Sequence, residues 1–261
     1  IIASDVDIQG NINTGSADVT VSMALSIGQI ALGDSTLCAT CAMKFSGAEL
    51  ENITASTLTV ENTSQAIFVD NVTADNSNNI GSVTLDSGKH IVFQGNASTF
   101  NGLTASATTD MDVRVDVTTD TGDLILTGDS DTSGGADRFK VFNDAVLNSA
   151  GDMTLTLNGG AGTISSAGAA TMVSGGSINI NGAWDVDTAT TMTAGGSIDV
   201  TGALNVNGSM TVTSGGTMTL GDIFASGATA TFNADDGINV NGNFIATGNV
   251  ALDGDANSIV D

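Results

Sequence analysis

A glycine pair that returns every 20 residues, at Gly175-Gly176, Gly195-Gly196 and Gly215-Gly216, constrains this chain more than any other feature. Asp235-Asp236 then takes the same place. Set out in rows of that length, the sequence forms apolar columns: Ile178, Ile198, Met218 and Ile238, and two residues on Ile180, Val200, Leu220 and Val240. The residues between them are Asn179, Asp199, Thr219 and Asn239, so each segment alternates as a half-buried strand does. A second segment aligns Trp184, Leu204, Phe224 and Phe244, and a third aligns Met172, Met192, Val212, Phe232 and Leu252. Between segments lie pairs such as Asn181-Gly182, Thr201-Gly202, Asn207-Gly208 and Ser226-Gly227, which suit corners that need positive φ. A coil of this size cannot bury its own apolar side chains and must stack on its neighbours. The pattern predicts an all-β, right-handed parallel β-helix with about three strands and 20 residues per coil, whose roughly thirteen coils would span roughly 60 Å. The core ladder is then Ile178, Ile198, Met218, Ile238, Ile180, Val200, Leu220, Val240, Trp184, Leu204, Phe224 and Phe244.

The repeat is clearest over 149–261. Over 1–37 one coil is recognisable: Val6, Ile8, Gly10, Ile12, Gly15, Val19 and Val21 follow Ile198, Val200, Gly202, Leu204, Gly208, Met210 and Val212 with one deletion. The stretch 38–148 keeps strand-like pieces, among them Leu58 to Val60, Ile67 to Val69, Val83 to Leu85 and Leu124 to Leu126, but loses the 20-residue step, which predicts insertions there. Neither end shows a capping segment, since Ile1 to Ile8 and Asn257 to Asp261 both read as strand pieces inside the repeat.

Composition agrees with strands and tight turns. Proline and tyrosine are absent, glycine reaches 33 residues, and glutamate occurs only at Glu49, Glu51 and Glu61, so helices are not expected and aspartate reads as turn chemistry. With 29 acidic against 5 basic residues the net charge is −24, which repels nucleic acid and anionic lipid and favours cations. No stretch approaches the roughly 18 apolar residues of a membrane span.

The segments GDLILTG, GDMTLTL, GGSINI, GGSIDV and GGTMTL, with AELENITASTLTV, resemble the filamentous-haemagglutinin type repeats of large secreted bacterial adhesins and surface fibre proteins. The resemblance implies a parallel β-helix, export, and an extracellular or cell-surface role. The pattern departs from that family in its Cys pair and in the absence of a recognisable N-terminal secretion domain.

Candidate chemistry is sparse. Cys38 and Cys41 form CATC with no other cysteine in the chain, and His90 is the sole histidine. An intrachain disulfide, reduced thiols and a link to another subunit are all compatible with the motif. Asp129, Asp131, Ser133 and Asp137 place oxygen ligands at alternate positions before and around a glycine turn, the arrangement of a calcium loop, with a solvated acidic corner as the plain alternative. Asp253, Asp255, Asn257 and Asp261 make a weaker second case. No cofactor is required, and calcium is the one candidate. Sequons begin at Asn52, Asn62, Asn71, Asn96 and Asn207.

The sequence therefore points to a structural, non-enzymatic extracellular protein: the shaft or self-stacking subunit of a filament, sheath or adhesin stalk, associating with itself head to tail through its ends. The alternative is a module binding surface glycans, displayed on a solenoid. Two minor alternatives are weaker. An ice-binding face would use the outward column Thr171, Thr191, Thr211 and Thr231, with Thr193 and Thr213, but Val173 and Asn233 interrupt it. A polysaccharide-active β-helix enzyme needs basic side chains beside carboxylates, and the only basic residues are Lys44, Lys89, Arg114, Arg138 and Lys140, with none in the regular half.

Overall fold

The computed structural model describes residues 1–33, 38–131, 137–142, 144–158, 163–225 and 229–256. The chain winds as a right-handed parallel β-helix of three stacked parallel sheets. In the regular half each coil contributes one strand to each: Ile178–Asn181 to the first sheet, Trp184–Val186 to the second, Thr190–Ala194 to the third, and Ile198–Val200 returns to the first. Ile178 pairs with Ile198, Ile198 with Met218 and Met218 with Ile238, reproducing the 20-residue step. The third sheet keeps the same step through Met172, Met192, Val212, Phe232 and Leu252. The inward residues form one continuous core, in which Ile198, Trp184, Leu204 and Phe232 are fully buried.

Coils in the first half are longer. The first sheet steps from Leu58 to Val83, from Val83 to Leu103, from Leu103 to Leu124, and then by 29 residues from Leu124 to Met153. Longer coils mean fewer of them: the first sheet stacks eleven strands along its path among the described residues, about 50 Å at the usual strand spacing, against the thirteen coils expected.

Three readings of the sequence are corrected. In the second sheet Leu204 pairs with Ile223, and Ile223 pairs with Phe244. Ile223 is fully buried, whereas Phe224 points outward beside Asn205 and is 36% exposed. The cause is a short corner: Gly221 and Asp222 do the work of Thr201, Gly202 and Ala203, so the step is 19 residues and a strict count of 20 lands one residue late. Secondly, Val19 and Val21 lie in the first sheet opposite Leu58 and Val60, not in the third, and Val6 and Ile8 lie outside any strand. Alternation at i and i+2 is identical for all three sheets, so it cannot say which sheet a strand joins.

Thirdly, two single-turn helices form. α1 spans Gly47–Glu51 and α2 spans Ala74–Ser77, each opened by a capping box, Ser46 with Glu49 and Thr73 with Asn76. Both follow a second-sheet strand and precede a first-sheet strand, the place a third-sheet strand occupies in later coils. Ser77 Oγ donates to Thr99 O at 3.0 Å in Ser98–Phe100, the first strand of the third sheet, and Asn76 Nδ2 donates to Glu51 Oε1 at 2.7 Å, so the helices continue that face towards the N-terminus. Two of the three glutamates sit in α1.

The glycine pairs have a reason other than positive φ. A Cβ at Gly195 would collide with the Gly175 carbonyl oxygen, and one at Gly215 with that of Gly195, so these two coils stack too closely for a side chain, whereas Asp235 holds the same place one coil on. The two ends of the stack also differ. Residues 1–13 run across the first coils: Ile2–Ala3 pairs with Ser22 and Met23, Ile8 N donates to Glu49 Oε1 at 3.1 Å, Asn52 Nδ2 donates to Ile8 O at 2.8 Å, and Val6, Ile8 and Ile12 pack on the core. This covering segment replaces the open N-terminal edge read from the sequence. In the last described coil, by contrast, Phe244 is 37% and Leu252 50% exposed.

The corrected register is testable by urea unfolding. Ile223→Ala should cost about 2–5 kcal/mol, the range for truncating a buried aliphatic, whereas Phe224→Ala should cost about 1 kcal/mol or less. Equal costs would return Phe224 to the core.

Candidate functional site

Every basic residue of this strongly acidic chain lies on or beside the outer face of the second sheet. Lys44 and Lys140 stand in strands Met43–Ser46 and Phe139–Phe142, Arg114 follows Met111–Val113, Arg138 precedes Phe139, and Lys89 and His90 precede Ile91–Phe93. Strand pairing sets the outward column Lys44, Ala31, Phe68, Val92, Asp112 and Lys140. One position before the strands, His90 O accepts from Ile67 N, Asp110 O from Ile91 N and Arg138 O from Met111 N, so these three residues also climb coil by coil.

Asp112 organises the cluster. Although it faces outward, its side chain is only 3% exposed, because two arginines lie across it. Arg138 binds it with both Nε and Nη2, at 3.1 and 3.0 Å, and Arg114 Nη2 adds a bond at 2.8 Å. Charge-assisted bonds of this kind are short and strong, and they fix the guanidinium planes. Arg138 reaches this position because an insertion lengthens the coil: the chain leaves the first sheet at Gly128 and enters the second at Phe139. Asp110 Oδ1 accepts from the Arg138 backbone N–H at 3.1 Å. Arg114 and Lys140 both lie over the Phe142 ring, at 5.5 and 4.9 Å from its centroid.

The other flank is apolar. Cys38 and Cys41 are joined by a disulfide, which packs with Ala31 and Phe68 in a small cluster outside the main core. Phe68 meets His90 edge to face, with ring centroids 5.8 Å apart. Phe68, His90, Val92, Asp110, Asp112, Arg114 and Arg138 line a shallow cavity of about 160 Å³. Partial burial lowers the His90 pKa below its ordinary value, against an opposing pull from Asp110 and Asp112. The imidazole is neutral at pH 7, offering one donor and one acceptor.

The aspartates proposed from sequence do not line this cavity. Asp129 is buried, with φ at 49°, Asp131 is exposed, Asp137 is half-buried, and Ser133 lies outside the described residues. Asp253 and Asp255 are exposed, while Asn257 and Asp261 lie outside the described residues. Among the described residues no group of three or more His, Cys, Asp or Glu side chains stands close enough to hold a metal. Asn62 is buried, its amide donating to Gly28 O and Ala66 O, which removes that sequon from modification in the folded chain. The His90, Asp112 and Arg138 cluster escaped the sequence reading, although His90 to Asp110 and Val92 to Asp112 are each one 20-residue step. Arg138 could not be placed without the length of the insertion.

The haemagglutinin-repeat family profile matches residues 1–115, 94–156, 154–222 and 221–260, nearly the whole chain. The chain belongs to the haemagglutinin-repeat family. No curated protein and no solved structure matches it significantly. Membership of this family implies a secreted or cell-surface setting and an adhesin-like structural class, typically without catalysis. Among the described residues no helix is long and apolar enough to cross a membrane.

With a single histidine, the haemagglutinin-repeat protein allows a direct check of this environment by proton NMR. The His90 ring signal should titrate with a midpoint below the ordinary value near 6.5. Asp110→Asn removes a charge that favours the imidazolium, so it should move the midpoint lower still. A depressed folded pKa means that His90 contributes its stability above the unfolded value and loses it as pH falls through the folded one.

Proposed function

We propose that the chain is a shaft segment of an extracellular fibre or adhesin stalk, a structural and non-enzymatic part that extends by coil-on-coil stacking. The supporting observation is the open core of the last described coil. Leu204 and Val212 are 0% and 1% exposed, yet their column mates Phe244 and Leu252 are 37% and 50% exposed. Strands Ile238–Val240, Phe244–Ala246 and Asn249–Asp253 pair on one side only among the described residues. A further coil laid on them, from the same polypeptide or from another copy, would continue three ladders and bury these side chains. In the second case the incoming copy presents its first coils, where residues 1–13 would have to shift or join the contact.

Sedimentation velocity tests the stacking. The chain should form species that grow with concentration, and Phe244→Asp with Leu252→Asp should leave monomers of unchanged secondary structure. Monomers of the parent chain at every concentration would remove self-stacking and leave continuation within a longer polypeptide.

Calcium binding at Asp129, Asp131, Ser133 and Asp137 belongs to the same proposal, as a clamp on the inserted corner. Calcium should then raise Tm beyond sodium at matched ionic strength, and Asp131→Ala should abolish the excess. The absence of a calcium-specific shift would leave a solvated acidic corner.

A further inference from the structure

The cluster on the second sheet is more than a shaft requires. A stacking coil needs inward apolar columns and closed corners, and the regular half manages both with no basic residue at all. The first half instead sets Arg114 and Arg138 in the lining of one cavity, with Lys89 next to His90 in the chain and Lys140 paired with Asp112 on the same face, on a chain of net charge −24. A buried carboxylate, Asp112, anchors two arginines whose side chains remain 44% and 49% exposed. Arg114 gives one hydrogen bond among the described residues, from Nη2 to Asp112, and its side chain is 44% exposed, which leaves N–H donors for a ligand.

We propose that this cavity binds one carboxylate-bearing sugar unit of a surface glycan. Each part of such a ligand has a matching group. The carboxylate meets the free donors of Arg114 with Arg138 beside it, held in a fixed plane by Asp112 before any ligand arrives, which lowers the ordering cost of binding. The C–H face of a sugar ring meets Phe68 and Val92, braced from behind by the Cys38–Cys41 disulfide. Hydroxyl groups meet neutral His90 and the carboxylate of Asp110, which is 32% exposed. The cavity of about 160 Å³ is the scale of one sugar unit rather than of a chain lying in a cleft.

The same groups argue against other anions. Asp110 stands at the wall of the cavity as a fixed negative charge, so a phosphate or a heavily sulfated sugar meets repulsion that a single carboxylate on the arginine side avoids. The overall negative field does not forbid binding, because charges beyond about 8 Å are largely screened at physiological salt, and two arginines stand in the cavity wall itself.

The test uses the full chain with free sugars, followed by calorimetry and by the His90 ring signal. D-glucuronate should bind and shift the His90 signal, with affinity at least about tenfold above that of D-glucose and of acetate. Arg114→Gln should weaken glucuronate binding about tenfold or more while Tm stays within a few degrees, since that side chain is half exposed. Arg114→Lys, which keeps the charge without the planar fork, should not restore it. Lys44→Gln, on the same face but outside the cavity, should bind as the parent does. Equal binding of acetate, of sulfate or of glucose would overturn the proposal, as would an Arg114→Gln variant that binds normally. Either result would leave the shaft reading intact, since stacking is measured at the other end of the molecule.

Discussion

A coil of three short strands satisfies neither its backbone nor its side chains alone. Each N–H and C=O on a strand finds its partner one coil up or down, and each inward Ile, Val or Leu is covered only by its column mates. The parallel ladder between coils is therefore the constraint from which the rest follows. It fixes the register of Ile178, Ile198, Met218 and Ile238, and it makes any change in coil length a corner event, because strands must still meet in register. That is why the 29-residue step from Leu124 to Met153 leaves the sheets continuous: the surplus leaves between Gly128 and Phe139 and does not disturb the ladder.

The corners explain much of the acidity. Asp123 Oδ1 accepts from Asp152 N at 2.8 Å, Asp152 Oδ1 from Ser177 N at 2.7 Å, and Ser177 Oγ from Ser197 N at 3.3 Å, a staircase in which each side chain holds the next coil's backbone. Asp116, Asp144 and Asp222 do the same for Val146, Ala169 and Asn243. The short aspartate arm suits this reach, and glutamate is confined to the region of α1 and its neighbouring first-sheet strand. Inside the same corner, the Ser174 hydroxyl lies 2.7 Å from Gly151 O and 3.1 Å from Ser177 O, adding to the backbone bonds those carbonyls already accept from Gly176 N and Met153 N.

Where the step is regular, the fold was legible residue by residue. The first-sheet and third-sheet columns of residues 170–252 came from the sequence with their partners correct, because 20-residue spacing and two-residue alternation together overdetermine the register. Legibility failed where one of the two was missing. At Ile223 a corner shortened by one residue defeated the count, and at Val19 the alternation survived but carried no information about which sheet it served. The helices were missed because composition argued against them globally, while the local signal, Ser46 three residues before Glu49, is a four-residue pattern that a global average hides.

The cluster on the second sheet shows the same limit in functional terms. In a solenoid, residues that meet on an outer face are one coil apart in sequence, so their spacing equals the coil length at that point. His90 and Asp110 obey the regular step, and Arg138 reaches Asp112 only through an insertion whose length the sequence does not announce. An insertion at a corner costs the ladder nothing, yet it can redirect a side chain across the adjoining face, as it does with Arg138. In a fold whose interior is fixed by repetition, departures from the repeat are thus the places where the outer surface can acquire chemistry, and the one concentration of positive charge in this chain lies beside its longest described departure in the second half of the irregular region.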